Sequence, residues 1–168
     1  DKWDLVVVNP AGVFGPALNP KSSTSESTNI MKQMADGTMK MGVPNIGIGV
    51  VDVRDLADAH FAAGFKPEAN GRNIIVGHNT SFLEMAETLN KHFGDKYPVP
   101  NKALPKWLLW IVGPLVNKAI TRDFVKKNVN IEWKADNSKG KRELGLDYRS
   151  LEETMVDDFN ALIAANVI

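Results

Sequence analysis

The chain contains no cysteine. That excludes a disulfide framework, a thiolate nucleophile and a cysteine-ligated zinc. A cysteine-free chain suits a reducing compartment, and a cytoplasmic location is expected. Neither sign of charge is in excess: Lys+Arg 20 face Asp+Glu 20, for a formal net charge of zero. Nucleic acid is therefore not expected as a main partner, because affinity for phosphate backbones needs a basic surplus. The same balance offers no polybasic face for a membrane. Long apolar runs are scarce too. Trp107 to Val116 is only about ten residues against the roughly 20 that span a bilayer, and Pro114 interrupts it. It reads as a buried or cleft-lining helix. The opening Asp1-Lys2-Trp3-Asp4 has no basic region followed by an apolar stretch, so it does not read as a signal peptide.

Tyrosine and histidine are sparse, with two and three residues. Tyr97 is followed at the fourth position by Asn101 and Tyr148 by Glu152, so neither forms a Tyr-x-x-x-Lys pair. His78 and His92 lack partners at metal-ligand spacing. His60, beside Ala59, Ala62 and Ala63, reads as a packed core histidine. Asp52, Arg54, Asp55 and Asp58 form an acidic cluster, but the arginine among them points to ion pairing and helix capping rather than a metal. No metal is expected.

What is present suits one globular domain: 168 residues, 43% apolar and 24% charged. Leu5-Val6-Val7-Val8 is a continuous apolar run, as in a strand covered on both faces of a parallel sheet. It begins four residues into the chain, so its sheet neighbours are expected to come from sequence upstream. Asn9 to Ser27 reads as a long loop broken by Pro10, Gly12, Gly15, Pro16 and Pro20, and loops after parallel strands hold ligands in α/β proteins. A helix is expected from about Thr28 to Asp36, stopped by Gly37. A strand follows over Ile46–Val53, then a helix over Asp55–Phe65 and a strand over Arg72–Val76. Ser81 with Glu84 forms a capping box that opens a helix through His92. Pro98–Pro105 is extended, and helical signals return from Lys106 to about Lys127. Asn137-Ser138 caps a short helix to Leu144, closed by Gly145. Ser150 with Glu153 is a second capping box. It opens a helix whose Leu151, Met155, Phe159, Leu162 and Ile163 keep the helical period.

Three stretches in register carry a resemblance: Val6-Val7-Val8-Asn9-Pro10-Ala11-Gly12-Val13-Phe14-Gly15-Pro16, Val51-Asp52-Val53-Arg54-Asp55-Leu56-Ala57-Asp58-Ala59-His60, and Asn137-Ser138-Lys139-Gly140-Lys141-Arg142-Glu143-Leu144-Gly145. Together they resemble the extended short-chain dehydrogenase/reductase family, and within it the dihydroflavonol reductase and aldehyde or ketone reductase branch. The resemblance spans nearly the whole chain. It implies an α/β fold, the C-terminal part of an extended Rossmann-type reductase, with the last parallel strands and a mostly helical substrate-binding region. Residues 1–168 would form that single portion, without the N-terminal nucleotide-binding part. The family's glycine-rich turn and Tyr-x-x-x-Lys pair have no counterpart here, so the chain resembles sequence that begins just after the catalytic helix. No catalytic residue is expected in it, and the chain alone is expected to be inactive.

By the same resemblance, Pro10, Ala11, Gly12 and Val13 would run along the carboxamide side of a nicotinamide. A proline and a glycine let a flat ring approach the backbone there. Ser25 would contact the phosphate-ribose portion, with the helix start near Thr28 adding amide donors; an ordinary N-cap is the competing reading. Phe14, Met31, Trp107 and Trp110 are candidates for an apolar substrate cleft, or for core. The implied function is NAD(P)H-dependent reduction of a small carbonyl compound. NADP is expected from the branch, NAD remaining open. A nucleotide-sugar epimerase or dehydratase of the same superfamily and a non-catalytic binding module are the alternatives. Self-association through an exposed edge of the Leu5–Val8 strand is also expected.

Overall fold

The computed structural model describes residues 4–116 and 118–168. Asp1 to Trp3, and Asn117 within the expected Lys106–Lys127 helical stretch, lie outside the described residues. The chain forms an α/β arrangement of two small sheets and covering helices. Strand β1 (Val6–Pro10) pairs in parallel with β4 (Gly71–Ile75). Strand β2 (Gly12–Phe14) pairs in parallel with β3 (Gly47–Asp52), whose other edge takes β5 (His78–Ser81) antiparallel. The path thus passes from one sheet to the other at Ala11, whose N–H still reaches the Ile75 carbonyl at 3.1 Å.

β2 and β5 were not expected. Gly12–Phe14 lies inside the stretch read as loop, because three residues are too few to show a period. The polar His78-Asn79-Thr80-Ser81 lacks the apolar signature of a strand. Its antiparallel partner β3 supplies the backbone pairing that makes it one.

β3 explains its own composition. Val50 packs into one core with Phe14, Met31, Met34, Met85, Leu89, Met155 and Phe159. Val51 points the opposite way, into a second core with Ala59, Ala62, Ile75 and Leu144. Gly47 and Gly49 share the Val51 face. A side chain at Gly49 would meet the Trp133 indole at 2.6 Å and the Ala11 Cβ at 2.9 Å. The missing side chains let the indole lie directly on the strand.

Helix α1 (Glu26–Ala35) buries Met31 and Met34, and α2 (Val53–Phe65) buries the small residues Ala59 and Ala62. Helices α3 (Phe82–Phe93) and α6 (Leu151–Ala164) pack on each other, with Phe159 stacked on Phe93 at 4.4 Å. Each starts on a serine whose hydroxyl oxygen accepts an amide three residues on: Ser81 from Glu84 and Ser150 from Glu153. Only half of each capping box forms. The Glu84 carboxylate accepts from the Thr80 hydroxyl and Glu153 reaches Arg149.

The Lys106–Lys127 stretch divides into α4 (Lys106–Val116) and α5 (Arg122–Asn128), the latter capped by Thr121. α4 runs through Pro114 instead of ending before it. Nor is it a buried helix: Leu109 is buried, but Trp107, Trp110, Ile111 and Leu115 are exposed. The segment expected as a short helix over Lys139–Leu144 is a π-turn at Gly140–Leu144, ended by Gly145 in the left-handed region at φ 66°. Asn137 does not cap it. Its side-chain amide donates to the Val76 carbonyl at the end of β4.

Candidate functional site

The site centres on the crossover from β1 to β2. Asn9 and Pro10 are exposed, and Ala11, Gly12 and Val13 are half-buried. They form a shelf at the C-terminal ends of parallel strands, the end where α/β sheets place ligands. Gly12 has a local reason: a side chain there would stand 3.1 Å from the Gly49 carbonyl and 3.2 Å from Ile48. The four residues named from sequence are thus contiguous in space, beside Trp133. Trp133 itself went unnoticed. The only hint of it was the Gly-x-Gly alternation of β3, which announces that something must lie close to the strand.

Beneath the shelf lies a brace of buried charge. Gly15, at φ 113°, donates its N–H to Asp158 Oδ2 at 3.1 Å. Burial pushes the Asp158 carboxyl up to about 7 despite that bond, and the charge of Asp52 adds to the rise. Asp52 is as deeply buried but behaves oppositely. Burial works to raise it, yet hydrogen bonds from the Arg54 side chain and amide, and from Thr154, together hold it below the usual carboxylate range. Arg54 spans from Asp52 at 2.8 Å to Asp157 of α6 at 2.8 Å. Asp55, also buried, pairs with Arg149 and accepts its backbone N–H at 2.9 Å. Asp52, Arg54 and Asp55 thus form a cap and ion pairs that tie the start of α2 to α6 and to the segment before it, as the intervening arginine suggests, while Asp58 is exposed. Asp158 had a readable signal: with Met155, Phe159 and Leu162 it falls on the buried helical stripe.

Ser25 is the N-cap of α1, its Oγ accepting from the Thr28 N–H at 3.2 Å. It also joins a hydroxyl cluster with Ser23, Ser27 and Thr28. The capping reading therefore describes its present bonds. Phe14 (3% exposed) and Met31 (0%) sit in the core, with no face open to a ligand. They were drawn inside because β2 and α1 close the main core between them. Trp107 and Trp110 are on the surface of α4, and Trp110 lies beneath the Arg122 guanidinium at 4.5 Å.

His60 is exposed rather than packed, its Nδ1 bonded to the Leu56 carbonyl at 2.8 Å. His78 Nε2 bonds the Arg149 carbonyl at 2.7 Å, and His92 pairs with Glu152 at 2.6 Å. Tyr97 packs edge-on against Phe159. Tyr148 is held inside, where burial and the Asp55 charge push its hydroxyl up to about 12, the wrong direction for a proton donor at neutral pH.

No protein-family model matches the chain. Individual proteins do. The NADPH-dependent methylglyoxal reductase of Saccharomyces cerevisiae is 28% identical over 166 residues, covering 96% of this chain and 44% of that protein. Cinnamoyl-CoA reductase 1 of Arabidopsis thaliana is 31% identical over 160 residues, covering 95% of this chain and 39% of that protein. Among solved structures, the yeast methylglyoxal/isovaleraldehyde reductase complexed with NADPH superposes with a TM-score of 0.69 at 25% identity, covering 98% of this chain and 48% of that one. The chain therefore spans less than half the length of these relatives.

Proposed function

The chain belongs to the extended short-chain dehydrogenase/reductase family, in the branch of the dihydroflavonol and aldehyde or ketone reductases, and on that premise we propose that it supplies the cofactor edge and part of the substrate cleft of an NADP(H)-dependent carbonyl reductase. The observation that carries this reading is the crossover shelf at Pro10–Val13, open to solvent at the strand ends and continuous with sequence related to NADPH-dependent enzymes.

The residues fit a nicotinamide edge on chemical grounds. Proline has no N–H, and the Ala11 N–H is already bonded to Ile75. These two residues can therefore offer a ligand only carbonyl oxygens, which complement the NH2 of a carboxamide. Gly12 keeps the shelf low, and Val13 turns it into β2. When bound, NADPH supplies hydride to a carbonyl carbon. This chain's part is to position the ring and to hold the loop after it rigid through the Gly15–Asp158 bond. The proton donor and the dinucleotide-binding turn belong, in this proposal, to sequence beyond the chain. NADP is favoured over NAD because the yeast relative is described as NADPH-dependent and its solved structure holds NADPH. The substrates are small carbonyl compounds, and the compartment is the cytoplasm. Among the four substrate-side candidates only Trp107 and Trp110 present open apolar surface.

Pro10→Glu tests the cofactor role. Pro10 is exposed, so an anion there leaves the fold intact but crowds the ring's approach. In the gene product that carries this chain, KM for NADPH should rise about tenfold or more with the melting temperature unchanged. An unchanged KM would refute the assignment.

The second part of the proposal concerns association. β4 pairs with one edge of β1, and a cavity of about 570 Å³ lined by Asp4, Leu5, Val6, Val7, Val8, His60, Ala63 and Gly64 borders the strand. Leu5 is exposed beside it. The 168-residue chain should self-associate through this strand. Light scattering reads the outcome, and a clean monomer counts against it.

A further inference from the structure

Charge is balanced over the chain but not along it. Between Lys102 and Lys127 lie six basic side chains, Lys102, Lys106, Lys118, Arg122, Lys126 and Lys127, and one acidic, Asp123. The rest of this neutral chain carries the matching acidic surplus.

The same segment turns an apolar face outward. Trp107, Trp110, Ile111 and Leu115 are 66%, 45%, 49% and 83% exposed. Their spacing places them along one side of α4. Leu109 and Gly113 are the buried positions, facing α5 and the loop before it, where Leu109 joins Val125 and Val129 in a small core of its own. Lys106 Nζ donates to the carbonyls of Lys126 and Val129 at 3.2 and 2.8 Å, which clamps α4 to α5. The apolar face and the basic rim therefore move as one unit. At their junction the Arg122 guanidinium lies over the Trp110 ring.

We propose that the α4–α5 face docks on an anionic phospholipid surface. The helix would lie in the interfacial plane, with Trp107, Trp110, Ile111 and Leu115 at the headgroup–acyl boundary and the basic rim on lipid phosphates. Indole rings with an apolar body and a polar N–H favour that boundary. A helix of 11 residues suits lying in the plane rather than crossing it. Among the described residues no helix is long and apolar enough to cross a membrane. A purely apolar partner would explain the outward tryptophans but not the basic surplus around them, which remains after Lys127 pairs with Asp123 at 2.7 Å. The neutral total concealed this: a face without basic surplus was expected from the sum, and the sum averages a basic segment with an acidic remainder.

Co-sedimentation of the gene product that carries this chain with vesicles tests the docking. Vesicles of phosphatidylcholine with about one-third phosphatidylglycerol should bind it, and phosphatidylcholine alone should bind at least about tenfold more weakly. Added salt should release it. Trp107→Ser with Trp110→Ser should abolish binding, and Lys118→Glu with Lys126→Glu should weaken it about tenfold or more. All four positions are exposed, so circular dichroism should show the fold unchanged. Failure to bind the mixed vesicles would overturn the proposal, as would binding that survives the tryptophan pair. So would a dimer that the tryptophan pair dissolves in a chain that ignores vesicles, since a second copy would then be the occupant.

Discussion

Asp158 stands on the apolar stripe of α6, beside Met155 and Phe159, and holds the Gly15 N–H from below. Its folded pKa of about 7 lies above the model-peptide value of about 3.9. The folded state therefore binds the extra proton between those two values, and the contribution to stability is full below the lower one. It is lost as pH rises through the upper one. Above that window the buried carboxylate is charged in both states and folding must strip its water. Asp158→Asn keeps an acceptor for Gly15 and removes the charge. It should raise the unfolding free energy relative to the parent at pH 8, by an amount on the order of 2–4 kcal/mol, and do so much less at pH 5. Chemical denaturation at the two pH values checks this, and a difference independent of pH would contradict it. Asp52 needs no such proton, because Arg54 neutralises it where it lies, and Asp55 is paired with Arg149. That division among three buried carboxylates was half legible. The arginine inside Asp52-Val53-Arg54-Asp55 announced pairing, whereas Arg149 and Asp157 are about a hundred residues away in sequence and only the tertiary fold brings them in.

At the scale of elements, the segments with strong local signals formed where their residues indicate. The Val6–Val8 run became a strand, the Leu151–Ile163 stripe a helix, and Ser81 and Ser150 began helices. The departures have physical causes. β2 and β5 are short and owe their existence to β3, a long-range partner that no local window contains. α4 runs on past Pro114 only to Val116, since proline removes the amide that would donate to the carbonyl four residues back. Trp133 sits outside every helix and strand, and its place is fixed by two glycines more than 80 residues earlier. Gly49→Ala tests that relation. The added methyl would stand 2.9 Å from the Ala11 Cβ and against the indole, so the ring must leave the strand. The expected result is a red-shifted tryptophan emission and a stability loss of about 1–3 kcal/mol. An unshifted emission at parental stability would contradict it.

For the whole molecule, Pro10–Val13 was singled out through the family resemblance, and the proline and glycine there suit a backbone that a flat ring can approach. The exposure of Trp107 and Trp110, and the withdrawal of Phe14 and Met31 into the core, were not legible, since apolar side chains read alike from sequence whether they line a cleft or fill a core. The central claim is that this chain positions a nicotinamide while the chemistry is completed by residues outside it. NADPH oxidation with methylglyoxal and a panel of small aldehydes and ketones, followed at 340 nm, tests it most directly when run on both the 168-residue chain and the gene product that carries it. Turnover is expected from the gene product and none from the chain alone; turnover by the chain alone, or none by the gene product with any carbonyl compound, would contradict that claim.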